Sequence, residues 1–144
     1  MSSHQIHVFI SHAWDHSGHY NTLDGWIFGE PWSVGQASLD LRNYSIPRSD
    51  PIHNVPNTEA LRQAIFRQIK MSHIVVIPNG MYASHSAWIE REVEGALSYG
   101  KPILSVSPWG QERKSSIVVD NAKGHAGWNK QTVINEIWRL HYHS

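Results

Sequence analysis

Three short apolar runs constrain this chain most: HVFIS from His7 to Ser11, HIVVIP from His73 to Pro78, and ILSV from Ile103 to Val106. Continuous apolar runs of this length, bounded by polar and turn residues, read as strands covered on both faces. The stretches between them carry helical periodicity. Asn57 or Thr58 caps one helix, with Glu59 in its first turn, Leu61, Ala64, Ile65 and Ile69 facing inward, and Lys70 and Ser72 closing it. A second runs from Gln131 to Tyr142, with Val133, Ile134, Ile137, Trp138 and Leu140 as its apolar set. Buried strands alternating with amphipathic helices specify an α/β fold, a central parallel sheet with helices on both faces. Such sheets bind ligands at the carboxyl ends of their strands. The loop after Ser11, the proline-rich segment ending at Asn57 and the loop from Asn79 to Ser86 therefore converge on one edge.

The remaining signals are weaker. Tyr20 to Phe28 has helical character interrupted by Gly25, Gly29 and Pro31, and Ala37 to Leu41 reads as a second strand. RNYSIPRSDPIHNVPN is polar, proline-rich and longer than an ordinary connection, which marks a functional loop. Pro108 to Gly127 is loop-rich, with a short helix near Ile117 to Ala122. The 144 residues fit one domain, 1–144, without repeats or linkers. The chain has no cysteine, which excludes thiol catalysis and cysteine-based zinc sites and fits a reducing compartment. Its 12 basic residues balance 12 acidic ones, so no basic surplus points to nucleic acid. The start lacks a basic segment followed by a long apolar one, and no apolar run is long enough to span a bilayer; the expectation is a soluble, cytoplasmic protein with no membrane partner.

The richest stretch is Tyr82 to Val106, YASHSAWIEREVEGALSYGKPILSV. On a helical wheel Ile89, Val93, Ala96 and Leu97 form an apolar stripe while Arg91, Glu94 and Ser98 face away. Trp88, Glu92, Gly95 and Tyr99 share one border, where an acid lies beside an aromatic wall and a side-chain-free gap. Glu90 lies equally far from the stripe on the other side, among solvated neighbours. Ser84 or Ser86 caps the first turn, and Gly100 before Lys101 and Pro102 stops the helix. The ordinary reading of such a helix is an amphipathic surface element with exposed glutamates.

Other chemistries find less support. The chain has 11 histidines, but His12, His16 and His19 offer no metal-ligand motif, and His141 with His143 reads as a frayed terminus; no metal site is expected. Neither a dinucleotide-binding glycine fingerprint nor a P-loop is present, and no G-x-S-x-G elbow surrounds a serine. The 7 tryptophans suit a ring-binding pocket as well as a core, with packing the commoner role. Glu92 beside aromatic surface suits reactions through an oxocarbenium-like state, in which a carboxylate holds sugar hydroxyls and opposes positive charge.

HVFIS, the S-x-W-x-x-x-E-V segment from Ser86 to Val93, the following GKPIL, NYSIPRSDP from Asn43 to Pro51 and GWN from Gly127 to Asn129 together resemble a TIR-like domain. The likeness is to the bacterial family that includes the Thoeris antiviral-defence sensor, and it runs over nearly the whole chain. It implies a single flavodoxin-like domain that cleaves NAD, as substrate and not cofactor, at the nicotinamide–ribose bond. The product would be ADP-ribose, a cyclic isomer or a related conjugate, diffusing to a separate effector. The resemblance places the catalytic glutamate at Glu92, four residues after Trp88. It places Ser11, His12 and Asp15 near the nicotinamide ribose, Trp88 in support of the glutamate, and Asn43, Tyr44 and Ser45 where many TIR domains carry their BB loop; Asn43 and Ser45 are counted with the substrate-binding set. The usual R-D-x-x-P-G of that loop is missing, which leaves assembly as a homo-oligomer open. Two other classes stay open: a catalytically silent TIR-like interaction module, and an enzyme like the nucleoside deoxyribosyltransferases, which E-G-A-L-S-Y-G-K-P-I also resembles.

Overall fold

A computed structural model describes residues 3–11, 17–45, 58–78, 86–107 and 116–143. Along the chain lie β1 (Ser3–Ile10), α1 (Ser17–Phe28), β2 (Trp32–Val34), β3 (Ala37–Asn43), α2 (Thr58–Lys70), β4 (Ile74–Pro78), α3 (Ser86–Ser98), β5 (Ile103–Ser107), α4 (Ser116–Asn121), β6 (Gly124–Gly127) and α5 (Lys130–His143). The six strands form one sheet in the order β2-β3-β1-β4-β5-β6. Five run parallel, as the buried runs require, and β2 adds an antiparallel edge to β3.

Setting β2 aside, the chain moves from β1 to β3 on one side, then returns across β1 to β4, β5 and β6. Right-handed crossovers put the connections of opposite travel on opposite faces. Accordingly α1 and α5 pack together, while α2 packs on α3 and α3 on α4. This is the flavodoxin-like arrangement, and its reversal of direction falls between β1 and β4, where ligands characteristically bind. The core lies between the layers: Ile6, Val8, Phe9 and Ile10 of β1, Ile74 to Ile77 of β4 and Ile103 and Leu104 of β5 are buried, covered by Leu23 and Ile27 of α1, Ile65 and Ile69 of α2, and Val133, Ile134 and Ile137 of α5.

Several elements depart from the sequence-based expectation. Helix α1 runs unbroken through Gly25, because Tyr20, Leu23 and Ile27 bury a stripe at helical spacing that outweighs the ~1 kcal/mol a mid-helix glycine costs. Strand β2 pairs with β3 through a two-residue turn in which Gly35 takes φ 61°, the positive value a primed hairpin turn needs. Strand β6, GHAG, lies within the segment expected to be loop; its glycines give no apolar signal, and its pairing with β5 defines it. Helix α5 extends through His141, whose ring packs 5.1 Å from His73, so this end is docked and not frayed.

Helix α3 begins at Ser86 and ends where expected. Gly100, at φ 64°, donates its N–H to Leu97 O at 3.2 Å and Lys101 donates to Ala96 O at 2.8 Å, the paired bonds of a Schellman cap. Ile89, Val93 and Ala96 are buried as the wheel indicates, but Leu97 is 55% exposed. The side-chain-free gap expected at Gly95 is filled by α2. A Cβ there would lie 3.1 Å from side-chain atoms of both Phe66 and Ile69, so the missing side chain lets α2 approach α3 closely. Arg62 seals the outside of that seam, ion-paired to Glu94 at 3.0 Å and lying over the Phe66 ring.

Candidate active site

Glu92 and Glu90 differ sharply once α3 is docked. Glu90 is exposed, whereas Glu92 is wholly withdrawn from solvent between buried Ile89, Val93 and Ala96. A carboxylate removed from water is costly unless hydrogen bonds replace its hydration. Ser11, also wholly buried, donates its hydroxyl to Glu92 Oε1 at 2.5 Å. Ser11 is the first residue past β1, and its own N–H donates to Val76 O of β4 at 2.8 Å. The pair therefore sits where β1 and β4 diverge, at the carboxyl edge of the sheet, with α3 bringing the acid across from β4 to β1.

The segment after β3 supports that edge. The β1–β3 ladder closes with Tyr44 N–H donating to Val8 O at 2.9 Å, and beyond it a side chain takes over: Ile10 N–H donates to Ser45 Oγ at 2.8 Å. Ser45 N–H donates to Asn43 Oδ1 at 2.9 Å, and Asn43 Nδ2 donates to Asp24 Oδ1 at 3.2 Å. Gln68 Nε2 of α2 reaches Ser45 O at 3.3 Å. Ser45 is thus buried and braces the residue before Ser11, while Asn43, itself exposed, holds the Ser45 N–H. Asp24 and Gln68 join this network without any sequence signal, since each is an ordinary polar residue on an amphipathic helix. His12 and Asp15 lie outside the described residues, as do the Trp88 side chain and most of the proline-rich loop.

A second titratable cluster lies at the opposite, amino edge. Strand β1 begins below β4, and in the step His7 and His73 interlock: His73 N–H donates to His7 O at 2.7 Å, and His7 N–H donates to His73 Nδ1 at 2.9 Å. The His7 ring stacks on His73 at 4.5 Å and on Tyr44 at 4.1 Å. Burial, then the neighbouring His7, His141 and Lys101, hold the His73 pKa below its ordinary value; burial, then His4 and His7, do the same for His141. Among the described residues no three such side chains are placed to hold a metal ion, and no helix is long and apolar enough to cross a membrane. The tryptophans Trp26, Trp32, Trp128 and Trp138 are half-buried against the core, a packing role.

Fold and site together define a flavodoxin-like α/β domain with a buried carboxylate at its topological switch point. The profile of the family described as Thoeris protein ThsB, TIR-like domain, matches residues 9–113, and the chain belongs to that family. Among solved structures it is similar to the Clostridium botulinum CMP N-glycosidase BcmB, with 12% identity over 92% of this chain and 98% of that one and a TM-score of 0.56, a likeness of fold. No curated protein matches the chain.

Proposed function

We propose that this chain is a TIR-like enzyme of antiphage defence that breaks the nicotinamide–ribose bond of NAD and releases an ADP-ribose-derived signal nucleotide, cyclic forms included. The observation that carries the proposal is the Glu92 carboxylate, buried and held by Ser11 at the carboxyl edge of the sheet. In N-glycosidic cleavage the C1′–N bond breaks, its electron pair leaves with the neutral nicotinamide, and the ribose passes through an oxocarbenium-like state. A carboxylate in low dielectric opposes that positive charge and accepts hydrogen bonds from ribose hydroxyls. Water, or another part of the substrate, then attacks C1′ and gives up its proton. Ser11 keeps the carboxylate aimed while the charge develops.

Membership of the ThsB TIR-like family supports the NAD reading, and the fold's occurrence in a CMP N-glycosidase supports N-glycosidic chemistry more broadly. A module acting only by contact gains nothing from a carboxylate hidden from solvent, which weighs against the silent alternative. The signal nucleotide would reach a separate effector in the cytoplasm. Chromatography with mass spectrometry should detect nicotinamide and an ADP-ribose species from NAD, with protein from phage-infected cells as a second arm. Glu92→Gln should lower turnover by about 10³-fold or more with the circular dichroism spectrum unchanged. Equal turnover in both proteins overturns the assignment, and base release from CMP but not NAD would transfer it to the nucleotide N-glycosidases.

A further inference from the structure

The apolar stripe of α3 contains a residue that the fold does not cover. Leu97 is 55% exposed, and it opens onto a cavity of about 510 Å³ at the amino edge of the sheet, far from the Ser11–Glu92 pair along α3. Pro102 and Leu140 supply further apolar wall, and three cations ring the space: Lys101, Lys123 and Arg139. Their states differ. Arg139 is fixed by a bidentate pair with Glu136, through Nε and Nη2 at 2.8 Å each, and Nη2 also reaches Lys123 O at 3.4 Å. That geometry leaves the Nη1 hydrogens unengaged among the described residues. Neither Lys101 nor Lys123 meets a carboxylate within ion-pair distance among those residues. Both lysines follow the carboxyl ends of helices, where a cation offsets the helix-end charge. That accounts for their sign but leaves the adjoining apolar walls unfilled.

We infer that this cavity is a second ligand site, for a small amphipathic anion: a flat aromatic ring joined through a short linker to a phosphate monoester, as in a nucleoside monophosphate. Its volume lies in the range of small-molecule sites, which are mostly apolar with a few placed polar groups. The ring would lie against Leu97, Pro102 and Leu140 and displace water from them. The phosphate would meet the two lysine ammonium groups and the free Nη1 edge of Arg139, a donor set suited to oxyanions. Arg139 needs no reordering to do so, because Glu136 already holds its plane.

The inference is independent of NAD cleavage and is tested on the full chain by amide NMR. Adenosine monophosphate is the probe, with adenosine and inorganic phosphate as its neutral and ringless halves. Saturable shifts are expected at the amides of Leu97, Gly100, Lys101, Lys123 and Leu140, at concentrations where neither half saturates. Lys101→Glu with Lys123→Glu should weaken this binding by about tenfold or more, and Lys123→Gln alone by a smaller factor, while Glu92→Gln leaves it intact. The same spectra report whether each variant is folded. Shifts confined to Ser11 and the first turns of α3, no saturable shift at the amino edge, or affinity unchanged by charge reversal would each overturn the site.

Discussion

The two ends of the β1–β4 seam solve the same problem, polar groups held away from water, in opposite ways. At the carboxyl end a hydroxyl from Ser11 faces a carboxylate from Glu92, and Ser45 supplies an acceptor where the β1–β3 ladder has ended. At the amino end the imidazoles of His7 and His73 stack, and His73 is held in its neutral form, since an Nδ1 that accepts the His7 backbone N–H carries no proton. The first arrangement depends on a donor being present, the second on a proton being absent. One seam therefore carries a buried carboxylate held by a hydroxyl and, at its other end, a cluster that positive charge disrupts.

That contrast can be broken from either end. Apart from Glu92 itself, the largest effect should come from Ser11→Ala, which removes a donor from a buried carboxylate; losing such a partner costs ~1–3 kcal/mol. Thermal denaturation should show the loss, and NAD turnover should fall by about tenfold or more at pH 7.5. Smaller is the effect of acid on the other end. The His73 and His141 pKa values are lowered on folding, so below the ordinary histidine value of about 6.5 the unfolded chain binds more protons than the native one. Stability should be level above about pH 6.5 and decline as pH falls from there through the lowered native values. His73→Asn, which offers an acceptor that does not titrate, should flatten that decline and leave turnover at pH 7.5 within about twofold. If His73→Asn instead suppresses turnover as Ser11→Ala does, the two ends are not independent. The smallest effect belongs to Glu90→Gln, an exposed position expected to change activity and melting temperature within error. A loss matching that of Glu92→Gln would mean that α3 is docked in a different register.

Much of this was legible in the chain because the strongest signals are those burial writes directly. HVFIS, HIVVIP and ILSV are apolar on both faces because both faces are covered, and they mark the carboxyl half of β1, all of β4 and most of β5; the first half of β1, Ser3 to Ile6, carried no such signal. Gly100 could be read as a stop because only a positive φ permits the cap found there. The wheel set Glu92 and Glu90 equally far from the stripe, with Glu90 among solvated neighbours, and docking of α3 separates them: one side faces Ser11 and the other solvent. What could not be read depends on partners distant in sequence. Strand β2 has three residues and exists through its pairing with β3; β6 is half glycine and exists through β5. Leu97 satisfies the helical period of α3 yet finds no cover, and Gly95 was taken for open space because the wheel shows one helix and the filling side chains belong to α2. The roles of Asn43 and Ser45 as braces likewise appear only with Asp24 and Gln68 in place.

The short borders of the sheet bear on how copies of this chain can associate. One border is β2, three residues long, and the other is β6, four residues with glycine at each end. A neighbouring molecule extending the sheet at either border would gain a ladder of only a few hydrogen bonds, and on β6 almost no side-chain contact. Natural sheets resist runaway strand addition by shortening their edges in this way. Among the described residues these borders offer a neighbouring copy little to pair with, so an ordered assembly would have to draw on helices and loops, where surface side chains decide the fit.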